Sequence, residues 1–389
     1  MNINKLSSFK RYISNIVLIF ISVIFSLILC ELIARIISPF DIFSKKYPLS
    51  LYHNELSTSQ PQKFDLALGY VYKNSYYHPS HPNFGGREFS TYKDGIRSNL
   101  SEDKQFFEKN NYSEPAFNAG NAIIATGDSF VAGNEVGNNE TWPAILEKRI
   151  NIRVLNGGVG GYSFTQAELM GERLAKEKKV KHLIVSLIPE DLIRGEYSIY
   201  QGVPRPYFVK QNNKLYLYSD HIKEFNNFSV KDKKYMEDII KKYSWSFLIM
   251  EIIKRTYTNP EVFYYFGLQK KAGVRFDVVG CNLVNRLEKV IAKNNIKAAI
   301  LIQYPDFHFY DKKNKQLDYI NRYLGNFKMC VKNSNLLLLD MEDRLKKVYQ
   351  ANKEEFHSLY VDRRRHMSAK GNKFTAEFIA PLIQSAWYK

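Results

Sequence analysis

From residue 120 onward, short apolar runs alternate with amphipathic stretches, and this alternation constrains the fold of the 389-residue chain more than any other feature. Five runs have the length and composition of buried parallel strands, and the stretches between them carry apolar residues at helical spacing. The predicted strands are 122–126, 152–155, 182–187, 298–303 and 336–340, and the predicted helices are 142–150, 166–179, 282–294, 316–331, 341–351 and 369–386. This order predicts an α/β fold in which a five-stranded parallel sheet is connected by crossover helices.

The N-terminal segment has a different character. Tyr12 to Cys30 contains no charged residue, and a helix that spans a bilayer needs ~20 apolar residues. No Ala-x-Ala cleavage pattern follows the run, so we predict a single transmembrane signal-anchor at 12–38 behind a cytoplasmic tail at 1–11. Three basic residues precede the span and three follow it, so charge does not settle its orientation. A tail this short usually stays in the cytoplasm, which predicts that the rest of the chain lies outside.

Two further segments interrupt the α/β pattern. Residues 39–118 are polar and rich in Tyr, Pro and Asn, and they are predicted to form a lead-in with short strands and without an independent core. Residues 119–389 form the main domain. Within it, about 196–275 is aromatic-rich and irregular, which predicts an insertion that is partly helical around 230–254. Such an insertion is either a wall of the ligand site or a surface elaboration.

Charge and cysteine content exclude some functions. The net charge is +17, but the basic residues are scattered among acids and no aromatic–basic RNA motif is present, so we expect no nucleic-acid partner. A basic surface instead favours anionic polymers or lipid headgroups. Cys30 lies in the predicted span, and we expect the other two cysteines, Cys281 and Cys330, to be free.

A candidate nucleophile follows the first predicted strand, in the tetrapeptide Gly127-Asp128-Ser129-Phe130. Ligands of open α/β sheets bind beyond the carboxyl ends of the strands, where this serine would lie. A serine hydroxyl needs a base and an acid to become nucleophilic, and His366 with Asp362 supplies both residue types near the C-terminus. Asp128 is expected to order the turn. The alternative for Ser129 is a helix N-cap without chemistry.

Two more loops follow predicted strands. The run 156–162 (NGGVGGY) follows the second strand, but it matches neither the dinucleotide fingerprint nor a phosphate-binding P-loop. Leu187-Ile188-Pro189-Glu190-Asp191 ends the third strand. The sequence carries no Cys-x-x-Cys or His-Glu-x-x-His pattern, so we predict no metal site and no cofactor.

These blocks together resemble the SGNH (GDSL-like) hydrolases. The likeness runs from about residue 122 to the C-terminus, and the segment before it is similar to that of membrane-anchored bacterial members, with Glu-Leu-x-x-Arg (31–35), Leu-Gly-Tyr (68–70) and Gly-Ile-Arg (95–97). The resemblance implies a three-layer α/β/α, flavodoxin-like fold. It also implies ester chemistry on lipid, carbohydrate or acyl-polymer substrates.

The resemblance assigns roles residue by residue. Ser129 matches the nucleophile and His366 the base, with His357 as the runner-up base. Asp362 matches the acid, although three residues separate it from His366 where family members usually have two. The backbone N–H groups of Ser129 and Gly161 match the oxyanion donors, and Gly160 is the fallback for the second of these.

The third block departs from the family. Where members have Gly-x-Asn-Asp with an Asn that donates to the oxyanion, this chain has Glu190 followed by Asp191. An ionised glutamate only accepts hydrogen bonds and repels an oxyanion. Three alternatives follow. The oxyanion hole uses backbone donors alone, Arg194 replaces the missing Asn as a donor, or burial keeps Glu190 protonated.

The sequence thus predicts a serine-dependent ester hydrolase that works through an acyl-enzyme, on an ester-bearing small molecule, lipid or envelope polysaccharide. An O-acetyltransferase with the same triad is the alternative, since acceptor choice depends on pocket shape. A non-catalytic glycan-binding or scaffold protein is a third. The span and the resemblance place the protein in the bacterial inner membrane as a single-pass protein whose main domain faces the periplasm.

Overall fold

The computed structural model of this protein describes residues 15–30, 61–200, 203–212, 214–223, 270–310, 315–361 and 366–388. Residues 15–30 are helical, and their side chains are exposed. Within the described part of the chain, no helix combines the length and the apolar character that crossing a membrane requires. The signal-anchor at 12–38 therefore stays a prediction.

The predicted five-stranded parallel sheet is confirmed. Its strands, numbered in chain order with the others of the molecule, are β5 (Ile123–Thr126), β6 (Val154–Asn156), β7 (His182–Leu187), β13 (Lys297–Ile302) and β14 (Leu337–Asp340). Each begins or ends within two residues of its predicted bounds. Strands β5, β6 and β7 are buried throughout and β13 is buried after Lys297, whereas the edge strand β14 is mostly half-buried. Strands that helices cover on both faces read as continuous apolar runs rather than as alternating ones.

The strand order is β14-β13-β7-β5-β6, with every neighbouring pair parallel. The chain forms β5 first, adds β6 on one side, and then crosses over to add β7 on the other. The reversal leaves a crevice at the carboxyl end of β5, and in open α/β sheets ligands bind at such a point. The Gly127–Phe130 segment follows β5 directly.

Helices cover the sheet and connect its strands in the described segments from residue 61 onward. They include α1 (Lys104–Lys109), α2 (Ser129–Ala132), α3 (Trp142–Ile150), α4 (Phe164–Lys178), α5 (Pro189–Arg194), α6 (Phe276–Asn294), α7 (Lys315–Lys332), α8 (Glu342–Ala351), α9 (Lys353–Ser358) and α10 (Ala369–Trp387). Helix α3 packs on α10, whereas α6 packs on both α4 and α7. Local sequence sets the starts: Thr141 caps α3, and Ser163 forms a capping box with Gln166 at α4.

The described parts of the insertion are antiparallel. Strands β8 (Tyr197–Tyr200), β9 (Val203–Pro204) and β12 (Lys270–Lys271) form one small sheet, and β10 (Tyr207–Gln211) pairs with β11 (Lys214–Tyr218) in another. Since β12 pairs with β8, the two ends of the insertion meet. The predicted helix around 230–254 lies outside the described residues.

The lead-in packs into the same hydrophobic core as the sheet. It contains the hairpins β1 (Gln62–Asp65) with β2 (Gly69–Tyr72) and β3 (Tyr77–His81) with β4 (Arg87–Ser90). Tyr72, Phe84 and Phe89 are buried in one core with strand β5, with Phe84 and Phe89 stacked at 4.0 Å between ring centroids. The described part of the lead-in, residues 61–118, therefore folds together with the sheet of the main domain.

The expectation of two free thiols is wrong. Cys281 on α6 and Cys330 on α7 form a disulfide, with 5.4 Å between their Cα atoms. Forty-nine residues separate them in sequence, and only the packing of α6 against α7 brings them together. Two cysteines without a surrounding framework carry no signal of this pairing.

Candidate active site

The loop between β5 and α2 presents Ser129 at the carboxyl edge of the sheet. Gly127 has no room for a side chain, since a Cβ there would lie 2.5 Å from Val131 Cγ2 and 2.7 Å from the Ser186 carbonyl oxygen. Asp128 caps α2 by accepting a hydrogen bond from the Phe130 N–H at 2.9 Å. Asp128 thus orders the turn, and Ser129 is the first residue of a four-residue helix with 7% of its surface exposed.

His366 reaches Ser129 from the turn before α10. The Val361 N–H donates to the His366 carbonyl at 2.9 Å, and Tyr360 forms an antiparallel bridge with Met367, so the turn is held on both sides. Ser368 caps α10 immediately afterwards. The result is a distance of 2.9 Å between His366 Nε2 and Ser129 Oγ, although 237 residues separate the two.

The runner-up base has a different environment. The His357 ring, at the end of α9, packs 5.5 Å from the Phe356 ring and 5.9 Å from the Tyr310 ring. Of the two candidate bases, His366 is the one that the structure brings to the serine.

Asp362 lies outside the described residues, so its predicted contact with His366 stays a prediction. The carboxylate that the structure does place beside the imidazole is Glu135, whose Oε1 lies 3.7 Å from His366 Nδ1. Its side chain is 5% exposed. Glu135 could not be predicted from the spacing of an acid next to the histidine, because it lies six positions after the nucleophile instead.

The glycine loop after β6 supplies one free backbone donor. Gly160 is engaged on both sides, since its N–H donates to the Tyr72 hydroxyl at 3.3 Å and its carbonyl accepts from the Tyr70 hydroxyl at 2.9 Å. Gly161 has φ +79°, a conformation that favours glycine, and its N–H makes no hydrogen bond within the described residues. The Ser129 N–H is likewise uncommitted there. These two N–H groups are the pair predicted for the oxyanion hole, which stays a prediction, and the N–H of the predicted fallback, Gly160, is committed to Tyr72.

Glu190 and Asp191 lie in the first turn of α5, after β7. Burial raises the pKa of Glu190, and its Oε2 has no hydrogen-bond partner among the described residues. Burial, followed by the charge of Asp128, raises the pKa of Asp191 well above its ordinary range. The Asp191 carboxylate accepts from the Ile188 N–H at 3.0 Å, which fixes the start of α5.

Arg194, one of the alternative donors of the sequence analysis, joins the predicted blocks to one another. Its Nη1 donates to Asp191, to Asp128 Oδ2 at 3.3 Å and to the Tyr162 carbonyl at 3.4 Å. The guanidinium therefore holds the nucleophile turn, the glycine loop and α5 together. Its Nε is buried and has no hydrogen-bond partner among the described residues, so Arg194 stays an alternative donor to the oxyanion.

A lead-in residue organises the loop after the nucleophile. Arg97 is 1% exposed and donates to the Ala132 carbonyl, to the Gly133 carbonyl at 2.8 Å and to the Val136 carbonyl at 2.8 Å. Its Nε donates to Asn138 Oδ1 at 3.2 Å. Burial lowers the pKa of Arg97 to about 10, so the guanidinium remains charged at neutral pH. The Gly-Ile-Arg segment is therefore part of the site's framework.

The described residues contain no cluster of His, Cys, Asp or Glu that suits a metal ion. What they offer chemically is a serine hydroxyl that is hydrogen-bonded to an imidazole, together with two N–H groups that have no partner among the described residues.

Comparison with known proteins adds the following. No family model matches the sequence, and no curated protein matches it. Among solved structures, the chain is similar to a G-D-S-L family lipolytic protein from Desulfitobacterium hafniense (13% identity, TM-score 0.34, covering 67% of this chain and 99% of that one). It is also similar to the esterase EstA from Pseudoalteromonas (13%, TM-score 0.37, 68% and 97%) and to a lipase/acylhydrolase from Enterococcus faecalis (12%, TM-score 0.37, 68% and 95%).

Proposed function

We propose that this protein is a serine-dependent ester hydrolase that works through an acyl-enzyme. The observation that carries the proposal is the 2.9 Å contact between Ser129 Oγ and His366 Nε2 at the carboxyl edge of the sheet. A hydroxyl within hydrogen-bond reach of an imidazole is the arrangement that activates serine as a nucleophile. A helix N-cap needs no such partner.

The first half-reaction acylates the serine. His366 Nε2 accepts the Ser129 proton while Oγ attacks the carbonyl carbon of the ester, so the C–O π bond opens and its electron pair moves to the oxygen. Collapse of this tetrahedral intermediate expels the alkoxide, which takes the proton from His366 Nε2 and leaves as an alcohol. Ser129 then carries the acyl group as an ester.

The oxyanion of the tetrahedral intermediate needs donors, and the Ser129 and Gly161 N–H groups are available to it. A protonated Glu190 would be a third. Its buried carboxyl has a raised pKa and an oxygen without a partner in the described part of the chain. A neutral carboxylic acid donates one O–H, which would replace the amide donor that the family has at this position.

The second half-reaction decides between hydrolase and transferase. His366 Nε2 takes a proton from water as the water oxygen attacks the carbonyl carbon of the acyl-Ser129 ester. Collapse of this second tetrahedral intermediate breaks the bond between the acyl carbon and Ser129 Oγ, which takes the proton back from His366 Nε2 as the acid leaves. An O-acetyltransferase would use a sugar hydroxyl in place of water with the same residues. We propose hydrolysis as the main reaction, with transfer as the alternative, on an ester-bearing envelope or carbohydrate substrate.

We further propose that the enzyme is anchored in the bacterial inner membrane with its main domain outside the cytoplasm. The apolar run around helix 15–30 supports the anchor, and the Cys281–Cys330 disulfide supports an oxidising compartment. Protease added to spheroplasts of a bacterial host should degrade the main domain. Protection of the main domain until the membrane is lysed would indicate the opposite orientation.

The test of the proposed function is turnover of p-nitrophenyl acetate by the full chain in detergent. We expect His366→Ala to lower kcat/KM by about 10³-fold or more, because it removes the imidazole whose Nε2 lies 2.9 Å from Ser129 Oγ. His357→Ala is the matched control and should stay within about threefold of the wild type. Equal rates in the wild type and His366→Ala, both at background, would favour the non-catalytic glycan-binding or scaffold alternative.

The raised pKa of the Glu190 carboxyl predicts how turnover depends on pH. If the neutral acid donates to the oxyanion, its contribution is present below the raised pKa of Glu190 and is lost as the pH rises through it. Glu190→Gln keeps an N–H donor at every pH. We therefore expect it to match the wild type within a few-fold at low pH and to exceed it at high pH.

Glu190→Ala is the matched comparison for this prediction, because it removes the donor at all pH values. It should lose on the order of 100-fold in kcat at low pH. Wild-type rates in Glu190→Ala would mean that the hole uses backbone donors alone.

A further inference from the structure

The second ring nitrogen of His366, Nδ1, needs a hydrogen-bond acceptor if the imidazole is to act as a base at Nε2. A base that accepts a proton on Nε2 works best when an acceptor on Nδ1 fixes its tautomer and stabilises the imidazolium. Nδ1 of His366 is buried and has no hydrogen-bond partner among the residues that the structure describes. The carboxylate that faces it is Glu135, at 3.7 Å from Oε1 to Nδ1.

We propose that Glu135 is the positioning residue that orients His366, in the role that the resemblance assigns to Asp362. The proposal rests on the proposed ester hydrolase function and assigns one more role within the same site. Glu135 makes no covalent bond in the reaction. It accepts the Nδ1–H hydrogen bond and balances the positive charge while Nε2 holds the serine proton.

The loop that carries Glu135 is strongly constrained. Glu135 has φ +75°, a left-handed conformation that is costly for a residue with a side chain and persists only where the surroundings impose it. The Glu135 N–H donates to the Asn83 carbonyl at 3.3 Å. On the other side, a Cβ on Gly85 would lie 2.5 Å from the Glu135 carbonyl oxygen, so Gly85 permits this close approach.

Arg97 completes the constraint, because it binds the carbonyls of Gly133 and Val136 on either side of Glu135. The strained backbone thus aims a side chain that is only 5% exposed toward His366. Strain held in place beside a catalytic group points to a positioning role for that side chain.

The distance suits the resting enzyme. Catalytic hydrogen bonds are often long without substrate and shorten when charge develops. When Nε2 takes the Ser129 proton, the imidazolium attracts the buried Glu135 carboxylate, and a shift of less than 1 Å from 3.7 Å brings the pair to hydrogen-bond distance.

The test compares Glu135→Gln, Glu135→Asp and Asp362→Asn in the full chain, with p-nitrophenyl acetate as substrate. Glu135→Gln removes the charge at constant size, and we expect kcat to fall by about 10²- to 10⁴-fold with KM little changed. Glu135→Asp should recover part of that loss. Asp362→Asn should stay within about threefold of the wild type.

The pH profile separates positioning from a structural role. Among the described residues, the polar groups that contact the imidazole are Ser129 Oγ and the Glu135 carboxylate. Without the carboxylate the protonated imidazole is less stable, so the acidic limb of kcat/KM against pH should move to lower pH in Glu135→Gln. A purely structural loss would lower the thermal midpoint and leave that limb in place.

Several results would overturn the assignment. They are wild-type activity in Glu135→Gln, a loss of activity without the change in pH profile, or a comparable loss in Asp362→Asn. Ser129→Ala serves as the separate check on the parent proposal. If it turns over like the wild type, the serine mechanism fails, and the role of Glu135 fails with it.

Discussion

Replacing Ser129 by alanine is expected to lower ester turnover by about 10⁴-fold or more, the largest kinetic effect of any single substitution in this chain. The variant keeps the oxyanion donors and the substrate contacts but has no oxygen to attack the carbonyl. The hydroxyl contributes one contact with His366 and one with Asp128 at 3.4 Å, so its loss should leave the fold intact. The measurement is p-nitrophenyl acetate turnover by the full chain in detergent, with thermal unfolding run in parallel.

Ser80→Ala is the matched control for this prediction, since Ser80 is an exposed serine on β3. It should retain wild-type turnover. Turnover in Ser129→Ala within tenfold of the wild type would contradict a covalent serine mechanism.

Replacing Arg97 by methionine is expected to cause the largest loss of stability. The substitution preserves much of the packing against Phe84 and Phe89 but removes the donor to three backbone carbonyls and the Asn138 side-chain oxygen. The Gly133 carbonyl still accepts from the Val136 N–H at 3.3 Å, and Asn138 Oδ1 still accepts from the Ser90 N–H at 3.4 Å, so the full loss falls on the Ala132 and Val136 carbonyls. Since a buried polar group left unsatisfied costs roughly 1–3 kcal/mol, we expect the free energy of unfolding to fall by about 2–6 kcal/mol.

The same substitution should lower turnover, because the loop that it loosens carries Glu135. Arg149→Met is the matched control: the Arg149 side chain is 49% exposed, and its ion pair with Glu377 spans 3.6 Å. A surface pair of this kind contributes at most about 1 kcal/mol. Equal thermal midpoints for Arg97→Met and Arg149→Met would contradict the role given to Arg97.

The sheet and its covering helices could be predicted because their signals are local. Strand β7 has its predicted bounds, His182–Leu187, since a strand buried on both faces requires an apolar residue at nearly every position. Helix α3 also has its predicted bounds, fixed by Thr141 as cap and Pro143 in the first turn. Helix α6 starts six residues before the prediction, at Phe276, where the sequence offers no side-chain cap.

The contacts that complete the site could not be predicted, because they join segments far apart in the chain. The Tyr70 hydroxyl donates to the Gly160 carbonyl across 90 residues, and that carbonyl belongs to the same peptide unit as the Gly161 N–H. Glu135 lies 3.7 Å from His366 in a loop that Arg97 and Asn83 contact from other segments of the chain. No periodicity or spacing reports which loops meet at the edge of a sheet.

The Ser129–His366 pair is the exception among these long-range contacts. Each residue lies in a motif that specifies its own backbone: a glycine turn after a strand for Ser129, and a Ser-capped helix start for His366. The sequence could therefore name both residues, although nothing in it states that they are 2.9 Å apart.

The most direct test of the central claim is labelling of the full chain with a fluorophosphonate probe, followed by mass mapping of the modified peptide. An activated serine attacks the phosphorus and displaces fluoride, so we expect one adduct, on Ser129, that is absent in Ser129→Ala and strongly slowed in His366→Ala. No adduct on the wild-type chain, or one that persists in Ser129→Ala, would contradict the claim that His366 activates Ser129.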